Sequence, residues 1–213
     1  MRGLMSGFCF LIVTLAAAAS PLRAQQLNQP GHFDYYLFTL SWSPEFCHGH
    51  PSAPECGGHH GFMVHGLWPQ NNSGPYPHDC VPNPPTATDT SAVADIMPQD
   101  IIEHEWEKHG TCTGLTSDQY FALIRKVFNS IKIPSQLVSP SQSFTMSPAA
   151  LKDDFAKSNP GLTRQDMAIQ LMSKEYLSAA EICLTKDDSP KFMACSADVK
   201  DINGGTFIVP PVQ

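Results

Sequence analysis

The segment Glu103–Cys112 is dense in groups that can transfer protons or carry charge. Two imidazoles, three carboxylates and one ammonium group lie within seven consecutive residues, followed by Gly110, a typical helix stop signal. A run of charges usually indicates no more than a solvated helical face. That interpretation does not account for two histidines beside a tryptophan, so we treat the segment as a candidate site of chemistry.

A helix starting near Pro98 would bring three of these groups together. Each helical residue turns by about 100°, so Glu105 and His109 lie about 40° apart around the axis. Lys108 lies about 60° to the other side of Glu105. The helix therefore presents an acid, an amine and an imidazole on one face, with His104 at its flank.

The same spacing argues against a zinc protease helix. That motif places two histidines at positions i and i+4, whereas His104 and His109 are five residues apart. Lys108 occupies the position where the second ligand would be needed, and its positive charge would repel a metal ion. The segment is better suited to proton transfer than to metal binding.

A further histidine, His65, lies in a segment of a different kind. Residues 62 to 65 are apolar enough for a buried strand, and Gly66 and Pro69 are expected to end it. His65 would then sit at a strand end, where functional residues are common. Taken alone, such a histidine is more often a satisfied core residue than a catalyst.

Two histidines on separate elements, together with a carboxylate and an ammonium group, suit the cleavage of RNA without a metal. That reaction needs a base for the 2′-hydroxyl, an acid for the departing 5′-oxygen and a cation for the charge on the phosphoryl oxygens. His65 and His109 can supply the first two, and Lys108 the third. An unperturbed imidazole pKa near 6.5 allows one ring to be neutral while another is protonated.

The segments His65–Pro69 and His104–Cys112 resemble the two signature motifs of the ribonuclease T2 family. Both occur in the expected order, and the resemblance extends from Tyr35 to Cys183. It implies an α+β fold with a central, mostly antiparallel sheet flanked by helices. It also implies endonucleolytic cleavage of single-stranded RNA through a 2′,3′-cyclic phosphate intermediate, with no metal or other cofactor.

By position in these motifs, the resemblance assigns roles to five residues. His65 and His109 become the acid–base pair, Glu105 and Lys108 stabilise the pentacoordinate transition state, and His104 binds phosphate. We favour His109 as the base and His65 as the acid of the first step, although the motifs leave this direction open.

Base recognition is assigned to Trp68, Gln70 and Tyr76. Trp68 would stack on a base, and Tyr76 would form the other side of the same pocket. Stacking is worth roughly 1–3 kcal/mol per base and tolerates any sequence. Trp68 could instead be a core aromatic. Many family members carry Asp where this chain has Gln70. The Gln70 side chain can both donate and accept hydrogen bonds, so we expect broad specificity for the base. Ser41, where many eukaryotic members carry Gln, favours the bacterial, periplasmic branch that resembles ribonuclease I.

The elements that must position these residues follow from apolar patterning. A period-two run predicts a strand from Tyr35 to Trp42, and Gly- and Pro-rich composition predicts a loop over 47–60. Residues 70–92 read as a long irregular loop. The remaining predictions are helices over about 117–132 and 147–157, a further helix capped by Thr163, and strands over 176–184, 192–195 and 206–209. Because strands and helices do not alternate strictly, the pattern indicates an α+β fold.

The cysteine count predicts disulfides. Six cysteines follow the N-terminal segment, and an even number in an exported chain argues for three bridges. Sequence alone fixes none of the possible pairings. Proximity favours Cys47 with Cys56 and Cys183 with Cys195, which leaves Cys80 for Cys112.

The N-terminus has the features of a secretory signal. Arg2 precedes a short apolar run, and small residues suggest cleavage before Gln25, giving a signal peptide over 1–24 and a single catalytic domain over 25–213. Loss of Arg2 and Arg23 takes the formal net charge from −7 to −9. We expect an exported protein, periplasmic or extracellular, that is monomeric, is not held in a membrane and meets RNA only at a local site.

Two other functions remain open from the sequence. A secreted recognition or toxin module could keep the fold without catalysis, although it would not need all the catalytic residues together. A secreted metallohydrolase could use the histidines of the 47–60 segment, namely His48, His50, His59 and His60. Structural zinc spacings are absent from that segment, and an oxidising compartment favours a disulfide between its cysteines.

Overall fold

The computed structural model describes residues 28–212, so the predicted signal peptide lies outside the described residues. Within them the strands are β1 (Tyr35–Trp42), β2 (Phe62–Gln70), β3 (Phe144–Met146), β4 (Met167–Met172), β5 (Tyr176–Thr185) and β6 (Phe207–Val209). The α-helices are α1 (Ser43–Gly49), α2 (Ile102–Lys108), α3 (Ser117–Ser130) and α4 (Pro148–Ser158). No helix in the described range is long and apolar enough to cross a membrane.

All six strands form one sheet in the order β2-β1-β5-β6-β3, with β4 also paired to β5. Every pairing is antiparallel except the short one between β5 and β6. Helices flank this sheet, so the α+β fold with a mostly antiparallel sheet is confirmed.

Strand β1 is buried on both faces, not on one only. Its even-numbered residues from Tyr36 to Trp42 belong to the main core, as the period-two pattern predicts. On the opposite face, Tyr35 and Leu37 pack with Cys183 in a second, smaller apolar cluster. That second face continues into the polar side chains of Thr39 and Ser41, which lie beside the cleft described below.

The predictions for the longest helix and for the cysteine pairs are confirmed. Thr116 and Gln119 form the predicted capping box at the start of α3, whose apolar stripe packs into the core. The disulfides favoured by sequence proximity are all present: Cys47–Cys56, Cys80–Cys112 and Cys183–Cys195.

Several local predictions were wrong. The segment 47–60, predicted as a loop, contains the last residues of α1 and a 3₁₀ turn at Pro54–Gly58. Helix α1 begins directly after β1 because Pro44 is tolerated in the first turn of a helix. Thr163 caps only a short 3₁₀ turn, and the chain then enters β4. Neither β4 nor β3 was predicted from the sequence. The strand predicted over 192–195 is an isolated bridge between Phe192 and Leu184.

Candidate active site

The first catalytic candidate, His65, lies inside β2 at a β-bulge, not at a strand end. Thr39 of β1 pairs with Gly66 and Leu40 pairs with Val64, so His65 has no partner in the register. A bulge inserts one unpaired residue and re-aims its side chain. Gly66 and Pro69 do not end the strand: Gly66 pairs with Thr39 directly after the bulge, and Pro69 is tolerated because β2 is an edge strand of the sheet.

The bulge also explains why His65 and Trp68 can work together. Residues three apart in a regular strand point to opposite faces. Past the bulge the alternation is shifted by one residue, so Trp68 and Gln70 share the sheet face that carries His65. The rings of His65 and Trp68 meet edge to face with centroids 5.3 Å apart.

Both ring nitrogens of His65 have partners. Nδ1 lies 3.0 Å from the Ser41 hydroxyl oxygen, and Nε2 lies 3.4 Å from Oε1 of Glu105. The His65 side chain is 41% exposed, whereas the Glu105 side chain is 2% exposed. The short contact to Ser41 fixes the ring, and the long contact to Glu105 leaves Nε2 accessible to an incoming group.

The helix that carries the second motif is shorter than predicted. Helix α2 starts at Ile102 rather than near Pro98, and it ends at Lys108 with His109 as its C-cap. Gly110 does not end the helical path but opens a 3₁₀ turn at Gly110–Thr113. A side chain at Gly110 would collide with the ring of Trp106, which explains why glycine is needed at this position.

Glu105 is the buried centre of the site. Its Oε2 accepts a hydrogen bond of 2.6 Å from the indole N–H of Trp68. Burial alone would raise the pKa of the Glu105 carboxyl, but the hydrogen bond from His65, the charges of His65 and His109 and the Trp68 hydrogen bond outweigh it, and the pKa is lowered. Glu105 is therefore a carboxylate that holds two side chains of the first motif.

The surroundings of His109 disfavour its charged form, whereas those of Glu105 favour the carboxylate. It is 5% exposed, and its Nδ1 is buried without a hydrogen-bond partner among the described residues. Burial lowers the pKa of His109 to about 4; Glu105 opposes this effect, and the positive charges of Lys108, His104 and His65 add to it. A neutral ring whose Nδ1 is enclosed can offer only Nε2 to a ligand.

All eight sequence-predicted site residues line one open cleft of about 510 Å³. Lys108 is half-buried and His104 is exposed, and within residues 28–212 no carboxylate lies in ion-pair range of the Lys108 ammonium group. An amine that is not neutralised beside two imidazoles can bind a phosphate group. The eight residues are His65, Trp68, Gln70, Tyr76, His104, Glu105, Lys108 and His109.

The aromatic candidates lie around His109. The ring centroids of Trp68 and His109 are 5.3 Å apart, and those of Tyr76 and His109 are 5.9 Å apart. Tyr76 is 41% exposed, and Trp68 is half-buried against the smaller apolar cluster. Both can offer ring faces to a base, and Gln70 lies on the same cleft wall.

The histidines of the 47–60 segment lie elsewhere. His48, His59 and His60 line a separate cavity of about 610 Å³, and His50 stacks on the ring of Phe46. In the described part of the chain, no three His, Cys, Asp or Glu side chains are arranged to hold a metal ion. The cysteines of this segment are joined to each other.

Three residues in or beside the cleft were not recognised as parts of the site from the sequence: Ser41, which contacts His65, and Gln170 and Glu181, which line the cleft. Ser41 was noted only as a marker of the family branch. Gln170 and Glu181 lie on β4 and β5 and line the cleft beyond His65. The sequence signal that could have identified Glu181 is a carboxylate inside the otherwise apolar run of β5. Such a residue in a buried strand needs a partner or a function.

This site defines a class of protein: an α+β domain in which a buried carboxylate contacts one imidazole, and a second imidazole, an amine and aromatic rings line the same cleft. A sequence profile described as the Ribonuclease T2 family matches residues 33–195. The chain belongs to the ribonuclease T2 family.

Relatives with assigned names agree with this placement. A ribonuclease from Aeromonas hydrophila is 35% identical over 132 residues, covering 60% of this chain and 61% of that protein. Ribonuclease DdI from Dictyostelium discoideum is 28% identical over 228 residues, covering 92% of this chain and 97% of that protein. The chain thus matches somewhat less than two thirds of the length of the Aeromonas relative.

Solved structures agree on the fold. A crystal structure of a mutant of ribonuclease MC1, a protein from the seeds of bitter gourd, has a TM-score of 0.60 to this chain at 25% identity. The alignment covers 82% of this chain and 97% of that one, which was solved in complex with 5′-UMP.

Proposed function

We propose that this protein is an endoribonuclease that cleaves single-stranded RNA by transphosphorylation, through a 2′,3′-cyclic phosphate intermediate and without a metal ion. The observation that carries the proposal is the meeting of His65, Glu105, Lys108 and His109 in one cleft. Together they supply a base, an acid and a cation, which are the groups that this reaction requires.

In the first step, Nε2 of His109 takes the proton of the 2′-hydroxyl. The 2′-oxygen attacks phosphorus, the bond from phosphorus to the 5′-oxygen breaks, and His65 protonates that oxygen. His109 is suited to the base role because its lowered pKa, about 4, keeps the ring neutral. In the second step water opens the cyclic phosphate, with the two histidines in exchanged roles.

The other cleft residues support this chemistry. Lys108 stabilises the charge that gathers on the phosphoryl oxygens, and His104 at the cleft rim binds phosphate. Glu105 has both oxygens engaged, by His65 and by Trp68, so it contributes to the transition state by holding the acid in place and stabilising its protonated form. Trp68 and Tyr76 stack against the base of the nucleotide that carries the 2′-hydroxyl, with Gln70 at its edge.

We also propose that the protein is exported and acts as a monomer. Three disulfides favour an oxidising compartment, either periplasmic or extracellular. Relatives from Aeromonas hydrophila and Haemophilus influenzae support a place near the bacterial branch of the family.

Incubation of total RNA at about pH 5 to 7 with excess EDTA tests the mechanism directly. We expect degradation and, from a defined oligonucleotide, fragments that end in a 2′,3′-cyclic phosphate. Absence of degradation would refute the proposal and favour a non-enzymatic module on the same fold. Activity that EDTA removes and zinc restores would favour a metallohydrolase.

Substitution of the two histidines tests their assignment. We expect His65→Ala and His109→Ala each to lower kcat by roughly 10² or more, the usual contribution of a positioned proton-transfer group. His32→Ala is the matched control, because His32 is exposed and lies outside the cleft. A loss below about tenfold for both cleft variants would mean that another pair transfers the protons.

A further inference from the structure

The segment between Asp201 and β6 contains an asparagine followed directly by a glycine, Asn203 and Gly204. This is the only Asn-Gly pair in the sequence. Asn203, Gly204 and Gly205 are exposed and belong to no helix or strand. No step of the proposed ribonuclease reaction uses these residues, so their reactivity concerns a different property of the protein.

An asparagine side chain can react with the main chain that follows it, and asparagine is among the thermolabile residues of proteins. The nitrogen of the next residue attacks the side-chain carbonyl carbon, a five-membered succinimide ring closes, and the side-chain nitrogen leaves as ammonia. Water then opens the ring at either of its two carbonyl carbons. One opening gives aspartate, and the other gives isoaspartate, whose main chain is longer by one methylene group. The reaction consumes water, releases ammonia and needs no enzyme or cofactor.

Both reacting groups of the pair are accessible. In the described range, no hydrogen bond engages the Asn203 side chain or the N–H group of Gly204. A Cβ atom at Gly204 would meet nothing within 4 Å, so nothing crowds the attacking nitrogen. Glycine also permits the main-chain rotation that ring closure requires, since it adopts a wider range of φ and ψ than other residues.

The other asparagines lack one or more of these conditions. Every one of them precedes a residue with a side chain, which crowds the attacking nitrogen. Asn83 and Asn159 precede prolines, which have no N–H group at all. Asn159 is also 3% exposed, and its side chain donates to and accepts from the main chain of Lys132. Asn129 lies inside α3, where helical hydrogen bonds hold the main chain. Asn203 is therefore the asparagine that should react fastest.

The segment that carries Asn203 is attached to the folded core at both ends. Before it, Asp201 accepts a hydrogen bond of 3.0 Å from the main-chain nitrogen of Ile169 in β4 and pairs with Lys152, which is 5% exposed. After it, Phe207 of β6 is 1% exposed. Aspartate at position 203 leaves the length of this connection unchanged, whereas isoaspartate lengthens it between two fixed points. We therefore expect isoaspartate to disturb the contact of Asp201 with β4.

We propose that Asn203 is a modification site that deamidates spontaneously in the folded protein, through a succinimide formed with the nitrogen of Gly204. The products are aspartate and isoaspartate at position 203, and the isoaspartate product weakens the attachment of the segment to β4. Because ring closure requires loss of the proton from the Gly204 nitrogen, the rate rises with pH.

Incubation of the purified protein at mildly alkaline pH and physiological temperature tests the proposal. Trypsin cleaves after Lys200 and releases residues 201–213, which contain one asparagine and no further lysine or arginine. We expect this peptide to gain the mass difference between an amide and a carboxyl group, and to be labelled by a methyltransferase specific for isoaspartate. Peptides from the same digest that contain the other asparagines should gain mass much more slowly.

The Gly204→Ala variant tests the attacking group. Its Cβ atom would meet nothing within 4 Å, so the variant should fold normally, but the methyl group stands beside the attacking nitrogen. We expect conversion of Asn203 to slow severalfold. Gly57→Ala is the matched control, because a Cβ atom there also meets nothing within 4 Å and Gly57 belongs to the 3₁₀ turn at Pro54–Gly58. Its conversion rate should equal that of the unmodified protein.

The Asn203→Asp variant separates the effect of charge from that of main-chain length. It carries the same new charge as the isoaspartate form but keeps a normal main chain. We expect the urea midpoint of the isoaspartate form, after chromatographic separation, to lie below that of Asn203→Asp. Equal midpoints would refute the weakened attachment to β4.

The remaining outcomes decide whether the site exists. Absence of the mass gain in residues 201–213 of the folded protein would overturn the proposal, and so would equal conversion rates in Gly204→Ala and the unmodified protein. Conversion that occurs only after unfolding in urea would also overturn it, because the folded segment would then protect the pair. None of these measurements requires ribonuclease activity, so this inference and the proposed function hold or fail independently.

Discussion

The enclosed Nδ1 of His109 links burial to acid–base chemistry. Protonation of Nε2 would put a charge on a ring that is 5% exposed and whose Nδ1 has no partner among the described residues to stabilise that charge. The cost of burying the charge opposes protonation, in agreement with the lowering of the His109 pKa to about 4. A base of this kind stays competent at acid pH, where an ordinary histidine would already be protonated.

This gives a prediction for the pH dependence of cleavage. If His109 is the base, kcat/KM should fall as the pH drops through about 4, because protonation removes the lone pair that accepts the 2′-proton. Lys108→Gln removes a positive charge that lowers this pKa, so its acid limb should move to higher pH, while the plateau falls through loss of phosphate binding. Rate profiles of both proteins from about pH 3 to pH 7 provide the measurement.

Lys132→Gln is the control for this experiment, since Lys132 is exposed and lies outside the cleft. Its acid limb should coincide with that of the unmodified protein. An acid limb near the ordinary histidine pKa of about 6.5 in the unmodified protein would mean that His109 is not the base.

We infer that Ser41 positions His65, because its hydroxyl lies 3.0 Å from Nδ1 of that ring. We expect Ser41→Ala to lower kcat by about fivefold with little change in KM, because one hydrogen bond is worth about 1 kcal/mol and this one orients the proposed acid without touching the substrate. Ser41→Thr keeps the hydroxyl and should recover most of the rate. Equal losses in both variants would indicate that the pocket around Ser41 matters and its hydroxyl does not.

At the scale of elements, the bulge in β2 brings the two sequence motifs of the candidate site into contact. Gly66, directly after the unpaired His65, lies so close to the hydrogen bond between Trp68 and Glu105 that a Cβ atom would overlap both bonded side-chain atoms. Only glycine allows α2 to approach the strand to this distance. The glycine predicted to end the strand instead makes room for the carboxylate of the second motif.

A methyl group at this position should therefore separate the motifs. We expect Gly66→Ala to cost roughly 2 kcal/mol of unfolding free energy through overpacking, and to lower kcat because His65 loses its carboxylate partner. Chemical denaturation and initial rates check the two effects. Gly57→Ala is the control, since a Cβ atom there would meet nothing within 4 Å. Unchanged rates in Gly66→Ala would show that contact between Glu105 and Trp68 is dispensable.

The sequence predicts those elements whose signals are local. Strand β1 and helix α3 carry clear period-two and helical patterns and a capping box, and both appear as expected. The bulge at His65 escaped prediction because it exists only in the register against β1. Strand β4 escaped because its position is set by pairing with β5, while the preceding Thr163 gives a helix start signal. The motifs identified the chemical groups of the site, but contacts such as Ser41 with His65 depend on long-range pairing.

At the scale of the whole molecule, disulfides connect the parts of the chain that must hold the site together. Cys80–Cys112 joins the irregular segment that carries Tyr76 to the 3₁₀ turn after His109. It closes a sequence separation of 32, compared with 12 for Cys183–Cys195 and 9 for Cys47–Cys56. The disulfide that closes the longest loop therefore joins two segments that each contribute a residue to the cleft, Tyr76 and His109.

Loss of this disulfide should cost the most stability of the three and should also impair the site. The loop-closure model gives about 4 kcal/mol for the Cys80→Ser/Cys112→Ser variant, and about 3 kcal/mol for removal of either shorter bridge. Because the severed ends lie beside Tyr76 and His109, kcat should fall even at temperatures where the variant stays folded. Removal of Cys47–Cys56, which borders the separate cavity, should leave kcat unchanged under the same conditions. Urea unfolding and cleavage rates at about 15 °C measure both quantities, and a greater loss of kcat for the Cys47–Cys56 variant would contradict this arrangement.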